Sequence, residues 1–234
     1  MIPTRLAPLG DQAVLAYFDD EAAAVRFTES LRSENPPWLE DVVPAYAGAG
    51  VFFNADAIST REVMSQLNSF SRDAESSERS APLRRLRVVA KRHTIPVCYE
   101  FGPDLPRVCE RTGLAADDAI CFHLGTEYVI HAIGFVPGFP YLGYLPEELC
   151  GVPRLESPRL RVEPGSVALT GRQTGIYPLP RPGGWNLIGR TPLAIVDVAE
   201  GFFPLRVGDR VTFTRIDEKR FRELDGERLS SPAR

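Results

Sequence analysis

Two stretches of this chain concentrate residue types that can do chemistry. The first is Gly134 to Gly143, GFVPGFPYLG, with three aromatic rings, two prolines and three glycines in ten residues. Proline fixes φ and glycine lets the backbone approach other groups closely, so the stretch suits neither a long helix nor a central strand. Phe135, Phe139 and Tyr141 offer flat apolar walls with one hydroxyl, and Pro137 stiffens the backbone between them. Such a loop floors a small-molecule pocket or packs as a rigid turn; composition leaves both open. The second stretch is Ser166 to Arg190, SVALTGRQTGIYPLPRPGGWNLIGR. Gly171-Arg172-Gln173-Thr174-Gly175 brings a cation, an amide and a hydroxyl together. Pro182-Gly183-Gly184-Trp185 forms a tight turn beside a large ring, and Tyr177 adds a second ring with a polar tip. Arg190 supplies a guanidinium that can hold a carboxylate with two parallel bonds. Donors of these types suit a carboxylate, a phosphate or a developing oxyanion.

Several other chemistries lack their motif. The sequence has no G-x-x-x-x-G-K-[ST], no G-x-S-x-G, and no G-x-G-x-x-G after a strand. ATP, if used, therefore belongs at a shared site or on a partner subunit. His93, His123 and His131 are not spaced as zinc ligands, so no metal site is expected. Cys98, Cys109, Cys121 and Cys150 contain no C-x-x-C pair. They read as small buried hydrophobes in a reducing compartment.

The elements that must position these residues fall into two textures. Ala13 to Tyr17 reads as a strand, and Asp20 caps a helix to about Arg32 with Ala24, Phe27 and Leu31 on one face. Asp41 to Ala47 and Gly50 to Phe53 read as strands around Gly48. Ser59-Thr60-Arg61-Glu62 is a capping box ahead of a helix carrying Val63, Leu67 and Phe70. A strand from Leu86 to Val89 completes a β-α-β-β-α-β order, so residues 1–90 are expected to form an α+β, ferredoxin-like split βαβ domain. Ser69 to Pro82 is polar and reads as a loop, placing a linker near 72–92. Arg84, Arg85, Arg87, Lys91 and Arg92 read as a solvated basic face.

From His93 to Arg234, prolines and glycines punctuate short apolar runs, as in a mainly-β barrel. A single helix is expected there, with Asp104 as cap, Leu105, Val108, Cys109 and Thr112 within it, and Gly113 as stop. Tyr128 to Ile133, Ser166 to Leu169, Leu193 to Val198 and Arg210 to Arg215 are strand candidates. Glu218 to Arg234 reads as a frayed, charged end.

Composition bounds the function. The chain has 234 residues, is 44% hydrophobic and carries a formal net charge of -4. No overall basic character draws it to nucleic acid, no apolar run is long enough to span a membrane, and the start lacks a signal-peptide core. A cytoplasmic protein is the expectation.

The two stretches, with Pro153-Arg154, Pro158-Arg159, Gly165 to Ala168, Gln173 to Pro178 and Pro182 to Leu193, resemble a known family. It contains the B subunit of 5-oxoprolinase, allophanate hydrolase subunit 1 and a sporulation-kinase inhibitor. Gly102-Pro103-Asp104-Leu105, Gly10-Asp11 and Pro44-Ala45-Tyr46 fit the same pattern. The resemblance implies a cyclophilin-like β-barrel after a small α/β domain, and partner subunits C and A. Together such subunits convert 5-oxoproline to glutamate with ATP. It also places a histidine at His123, where an imidazole could serve as acid or base. On this reading His123, Gln173 and Arg190 are the candidate catalytic residues, Gln173 matching a lactam's N–H and C=O. Phe135, Pro137, Phe139, Tyr141, Tyr177, Gly184 and Trp185 are the candidate substrate-binding residues. The alternatives within the family are a carboxyltransferase module of urea metabolism and a non-catalytic kinase inhibitor.

Overall fold

The computed structural model describes residues 2–77 and 90–230. The chain divides into two compact units, Met1–Val89 and Ala90–Arg234.

In the first unit the described elements are β1 (Arg5–Pro8), β2 (Ala13–Tyr17), α1 (Glu21–Glu34), β3 (Leu39–Ala45), β4 (Gly48–Phe53) and α2 (Thr60–Ser77). The strands form one antiparallel sheet in the order β1-β2-β4-β3. The Asp20 carboxylate accepts from the Ala23 N–H at 2.6 Å, satisfying a donor left open at the start of α1. The capping box forms: the Ser59 N–H donates to Glu62 at 3.0 Å, and the Glu62 N–H to Ser59 Oγ at 3.4 Å. Ala24, Phe27, Leu31, Val63 and Leu67 then bury their helix faces against Val14, Ala16, Val42, Val51 and Phe53 of the sheet.

Three expectations change in this unit. β1 is an added strand, and it takes the place beside β2 that a split βαβ gives to its last strand. The expected strand Leu86–Val89, with Arg84, Arg85 and Arg87, lies outside the described residues, as does the side chain of Phe70. The polar stretch from Ser69, read as a loop, continues α2 as far as Ser77. Loss of apolar periodicity ends the buried face without ending the helix, because no Gly or Pro occurs before Pro82.

The second unit runs β5 (Arg92–Val97), α3 (Leu105–Thr112), α4 (Ala116–Leu124), β6 (Tyr128–Ile133), β7 (Pro140–Gly143), β8 (Arg159–Val162), β9 (Ser166–Thr170), β10 (Gln173–Ile176), β11 (Arg181–Gly183), β12 (Asn186–Arg190), β13 (Arg210–Arg215) and α5 (Glu218–Leu224). Seven strands make one sheet in the order β12-β9-β10-β7-β6-β13-β5. Its two edges meet where Cys98, just past β5, exchanges backbone hydrogen bonds of 2.8 and 2.9 Å with Arg190 at the end of β12. The sheet is therefore a nearly closed barrel, and the seam removes part of the open edge. β8 and β11 form a separate two-stranded ribbon.

Inside the barrel Ile95, Val97, Tyr128, Ile130, Leu142, Val167, Leu169, Ile176, Ile188, Val211 and Phe213 form the main core. Gly102 ends a short 3-10 turn against β12; a Cβ there would lie 2.1 Å from the Ile188 carbonyl oxygen, so only glycine permits the approach. Among the described residues three α-helices occur where one was expected, and α4 is the one that carries His123. Leu193 to Val198 is not a regular strand and makes only isolated bridges, Ala194 with Arg228 and Asp197 with Phe202. The charged end is ordered through the described residues. Asp217 caps α5, and Phe221 and Leu229 are buried.

Candidate active site

The strand period of two sorts the candidate residues onto opposite faces of the barrel wall. On β10, Thr174 and Ile176 point into the main core, while Gln173, Gly175 and the following Tyr177 share the outer face. Gly175 pairs with Tyr141 of β7 and with Ala168 of β9, and Ala168 pairs with Leu187 of β12. This outer face bears a second cluster of Phe139, Val162, Ala168, Tyr177, Trp185 and Leu187, with Val136 and Tyr141 packed against it.

The aromatic candidates meet here. The Phe139 ring lies edge-on to Tyr141, Tyr177 and Trp185, with centroids 4.9, 5.1 and 5.5 Å away. Tyr141 and Trp185 are 5.9 Å apart. Phe135 stands at φ 67 with 60% of its surface exposed, edge-on to Phe139 at 5.7 Å and Tyr177 at 6.4 Å. Phe139 packs as core, and Phe135 and Tyr141 remain reachable. Gly183 is required by this packing, since a Cβ there would sit 2.3 Å from the Tyr177 hydroxyl. Burial raises the Tyr177 hydroxyl above its usual pKa, opposed by the Trp185 backbone N–H and by Arg154 and Arg159. Burial likewise raises Tyr141, opposed by Arg154.

A polar brace holds the segments around this face. Asp104, expected as a helix cap, makes no side-chain cap bond. Its buried carboxylate instead accepts from the Leu187 N–H at 2.7 Å and from Arg159 Nη2 at 2.7 Å. Buried Asn186 donates to the Pro153 and Leu169 carbonyls at 3.0 and 3.1 Å and accepts from Arg107. The Leu155 N–H donates to the Gly184 carbonyl at 2.7 Å. Arg107 and Asn186 were not singled out from the sequence, and Asp104 and Arg159 were named only as a helix cap and as part of a motif. The only signal was the paired Pro-Arg dipeptides and the Gly102-Pro103-Asp104 turn.

His123 lies on the other side of the wall. It is fully buried, stacked on Phe213 at 4.6 Å between ring centroids. Thr174 Oγ1 donates to the Ala168 carbonyl at 3.0 Å, so it accepts from His123 Nε2–H at 3.1 Å. That fixes the neutral tautomer, and Nδ1 accepts from the Tyr99 hydroxyl at 2.7 Å. Burial lowers the imidazole pKa to about 3. Every polar atom of the ring is satisfied by the core, and none faces the aromatic surface.

Gln173 and Arg190 are not brought together. Gln173 pairs with Thr170 at one end of β9, and Arg190 with Ser166 at the other, about 13 Å apart along the strand. Arg190 is engaged in the barrel seam. Its Nε donates to the Pro164 carbonyl at 2.9 Å, and its guanidinium lies 5.7 Å from the centre of the Phe221 ring of α5. Gln173 sits half-buried two residues from Gly175, at the margin of the outer aromatic face.

Residues 4–202 match the family model described as carboxyltransferase domain, subdomain C and D. The chain belongs to this family. Among its relatives, the 5-oxoprolinase B subunit of Bacillus subtilis is 38% identical over 230 residues, covering 92% of this chain and 94% of its own length. The 5-oxoprolinase B subunit of Escherichia coli O157:H7 is 50% identical over 122 residues, 51% of this chain and 56% of its own. The solved structure of TTHA0988 aligns with a TM-score of 0.72 at 35% identity, covering 88% of this chain; this chain spans 40% of that one. The urea amidolyase of K. lactis aligns with a TM-score of 0.72 over 96% of this chain at 13% identity, and shows the fold alone.

Proposed function

We propose that this chain is the B subunit of an ATP-dependent 5-oxoprolinase, acting with subunits C and A in the cytoplasm to open 5-oxoproline to glutamate. The observation that carries this reading is the near full-length similarity to the 5-oxoprolinase B subunit of Bacillus subtilis. We read the second unit as the cyclophilin-like barrel of that family, and its outer face as the substrate surface. Phe135 and Tyr141 present ring edges and a hydroxyl on which a small flat lactam can lie, backed by buried Tyr177, and Gln173 brings an amide to the margin that pairs with a lactam's N–H and C=O. The chemistry assigned to the complex is phosphoryl transfer from ATP to the lactam carbonyl oxygen, which releases ADP and makes the ring carbon electrophilic. Water then adds, the C–N bond opens to give an acyl phosphate with a free amine, and a second water hydrolyses the acyl phosphate to glutamate and inorganic phosphate. The sequence has no P-loop, so the nucleotide falls to a partner chain or to a surface shared with one, and this chain alone is inactive. The carboxyl-transfer alternative rests on the family's description and on a likeness of fold to urea amidolyase at 13% identity, and a fold hosts many activities, whereas the near full-length relative is named for 5-oxoprolinase. Deleting the gene from its host tests the proposal. Growth on 5-oxoproline as sole nitrogen source should stop and return on complementation; unimpaired growth, with glutamate still formed from 5-oxoproline in extracts, refutes it.

A further inference from the structure

Arg154 sits on a short segment whose backbone is pinned on both sides. The preceding Pro153 carbonyl accepts from Asn186 at 3.0 Å and Arg107 at 3.3 Å, and the following Leu155 N–H donates to Gly184 at 2.7 Å. The anchors are themselves fixed, because Asn186 is fully buried and Gly184 belongs to the turn that carries Trp185. Yet the guanidinium at the centre of this brace is exposed and forms no hydrogen bond or ion pair with any described residue. Its neighbour in the motif, Arg159, is neutralised by Asp104 at 2.7 Å. Glu156, two residues away and exposed, does not pair with Arg154. The flanking bonds to Gly184 and Asn186 set Arg154 across from Trp185, whose ring lies 5.9 Å from that of the reachable Tyr141, and the positive charge of Arg154 acts on the Tyr141 hydroxyl. Arg190, the arginine that the sequence favoured for an acid, donates its Nε to the Pro164 carbonyl and lies over the Phe221 ring.

An uncompensated guanidinium carried on a pinned backbone next to a ring surface matches a small flat molecule with one carboxylate. The rings take its face, and the planar fork takes its two oxygens. We infer that Arg154 holds the substrate's carboxylate, and so makes the enzyme specific for an acidic lactam over a neutral one. This rests on the proposed 5-oxoprolinase function and names a residue for it. Such a contact is made equally to the bound substrate and to the transition state, so its loss appears in KM and leaves kcat in place.

The test uses the assembled complex with wild-type chain, Arg154→Ala and Arg154→Lys. KM for 5-oxoproline and Ki for the neutral lactam 2-pyrrolidinone are measured by ATP-dependent turnover. Loss of one charge-assisted pair predicts a rise of about 10- to 100-fold in KM for Arg154→Ala. A smaller rise is expected for Arg154→Lys, with kcat and the 2-pyrrolidinone Ki unchanged in both. An unchanged KM, or KM and Ki rising together, overturns the inference while leaving the 5-oxoprolinase reading intact. A wild-type complex without 5-oxoproline turnover overturns both.

Discussion

The imidazole of His123 exchanges hydrogen bonds only with Tyr99 and Thr174 and stacks on Phe213 in the barrel interior. For a group sealed this way the expected role is in the fold, which a variant tests. His123→Asn leaves the Tyr99 hydroxyl or Thr174 without its partner and shrinks a filled site, which costs about 2–4 kcal/mol of stability. Chemical denaturation of the variant should show that loss, while turnover per folded complex is retained; a stable variant with collapsed turnover would return His123 to the chemistry. The pH dependence follows with its sign. Burial lowers His123 from 6.5 to about 3, so between those values the unfolded chain binds a proton that the folded chain refuses. Stability is then full above pH 6.5 and falls as pH drops toward 3. Asp209 adds to this at lower pH. Although burial alone would raise it, hydrogen bonds from His93 and the Lys91 and Arg206 N–H groups hold its carboxyl below the usual value. Its contribution is also lost on acidification. Equal stability at pH 7 and pH 4.5 would contradict this assignment.

At the scale of elements, the outer face depends on the brace that ties α3 to β12 and the β8 ribbon. Asp104→Ala strips Arg159 of its partner and the Leu187 N–H of its acceptor. Breaking a buried pair costs several kcal/mol; with Arg159 partly exposed, about 2–3 kcal/mol is expected, or on the order of 5–10 °C in Tm. Calorimetry should show that shift, and a melting curve identical to wild type would mean the brace is not stabilising. The same contact marks where sequence reading stopped. Strands β2, β6, β9 and β13 were legible because their alternation and flanking turns are local. α1 and α2 were legible because Asp20 and Ser59-Glu62 announce their starts. Asp104 does stand at the N-cap of α3, but its carboxylate's partner could not be read, because Leu187 lies 83 residues away. α4 was missed because Ala115 offers no capping side chain and Ala119, Ile120, Phe122, His123 and Leu124 all pack inward, so no clean apolar stripe appears. Of the candidate site, the aromatic residues converged because their strands are neighbours. Gln173 and Arg190 separated because proximity along a hairpin-rich sequence does not fix which end of a strand a residue occupies.

At the scale of the molecule, each unit draws its core from its own residues, Val14 to Leu67 in one and Ile95 to Leu229 in the other. A fragment of residues 90–234 should therefore fold cooperatively with a β-rich circular dichroism spectrum; a gradual, non-cooperative melt would show that its core is incomplete. The family of the chain is carboxyltransferase domain, subdomain C and D, and the reaction proposed for it needs further subunits. The most direct measurement is glutamate release from 5-oxoproline by the purified A and C subunits with ATP, with and without this chain. Release coupled to ATP hydrolysis is expected only when this chain is present, and none from this chain alone. Equal glutamate release by the A and C subunits without it, or no release from the full set, would contradict the 5-oxoprolinase assignment.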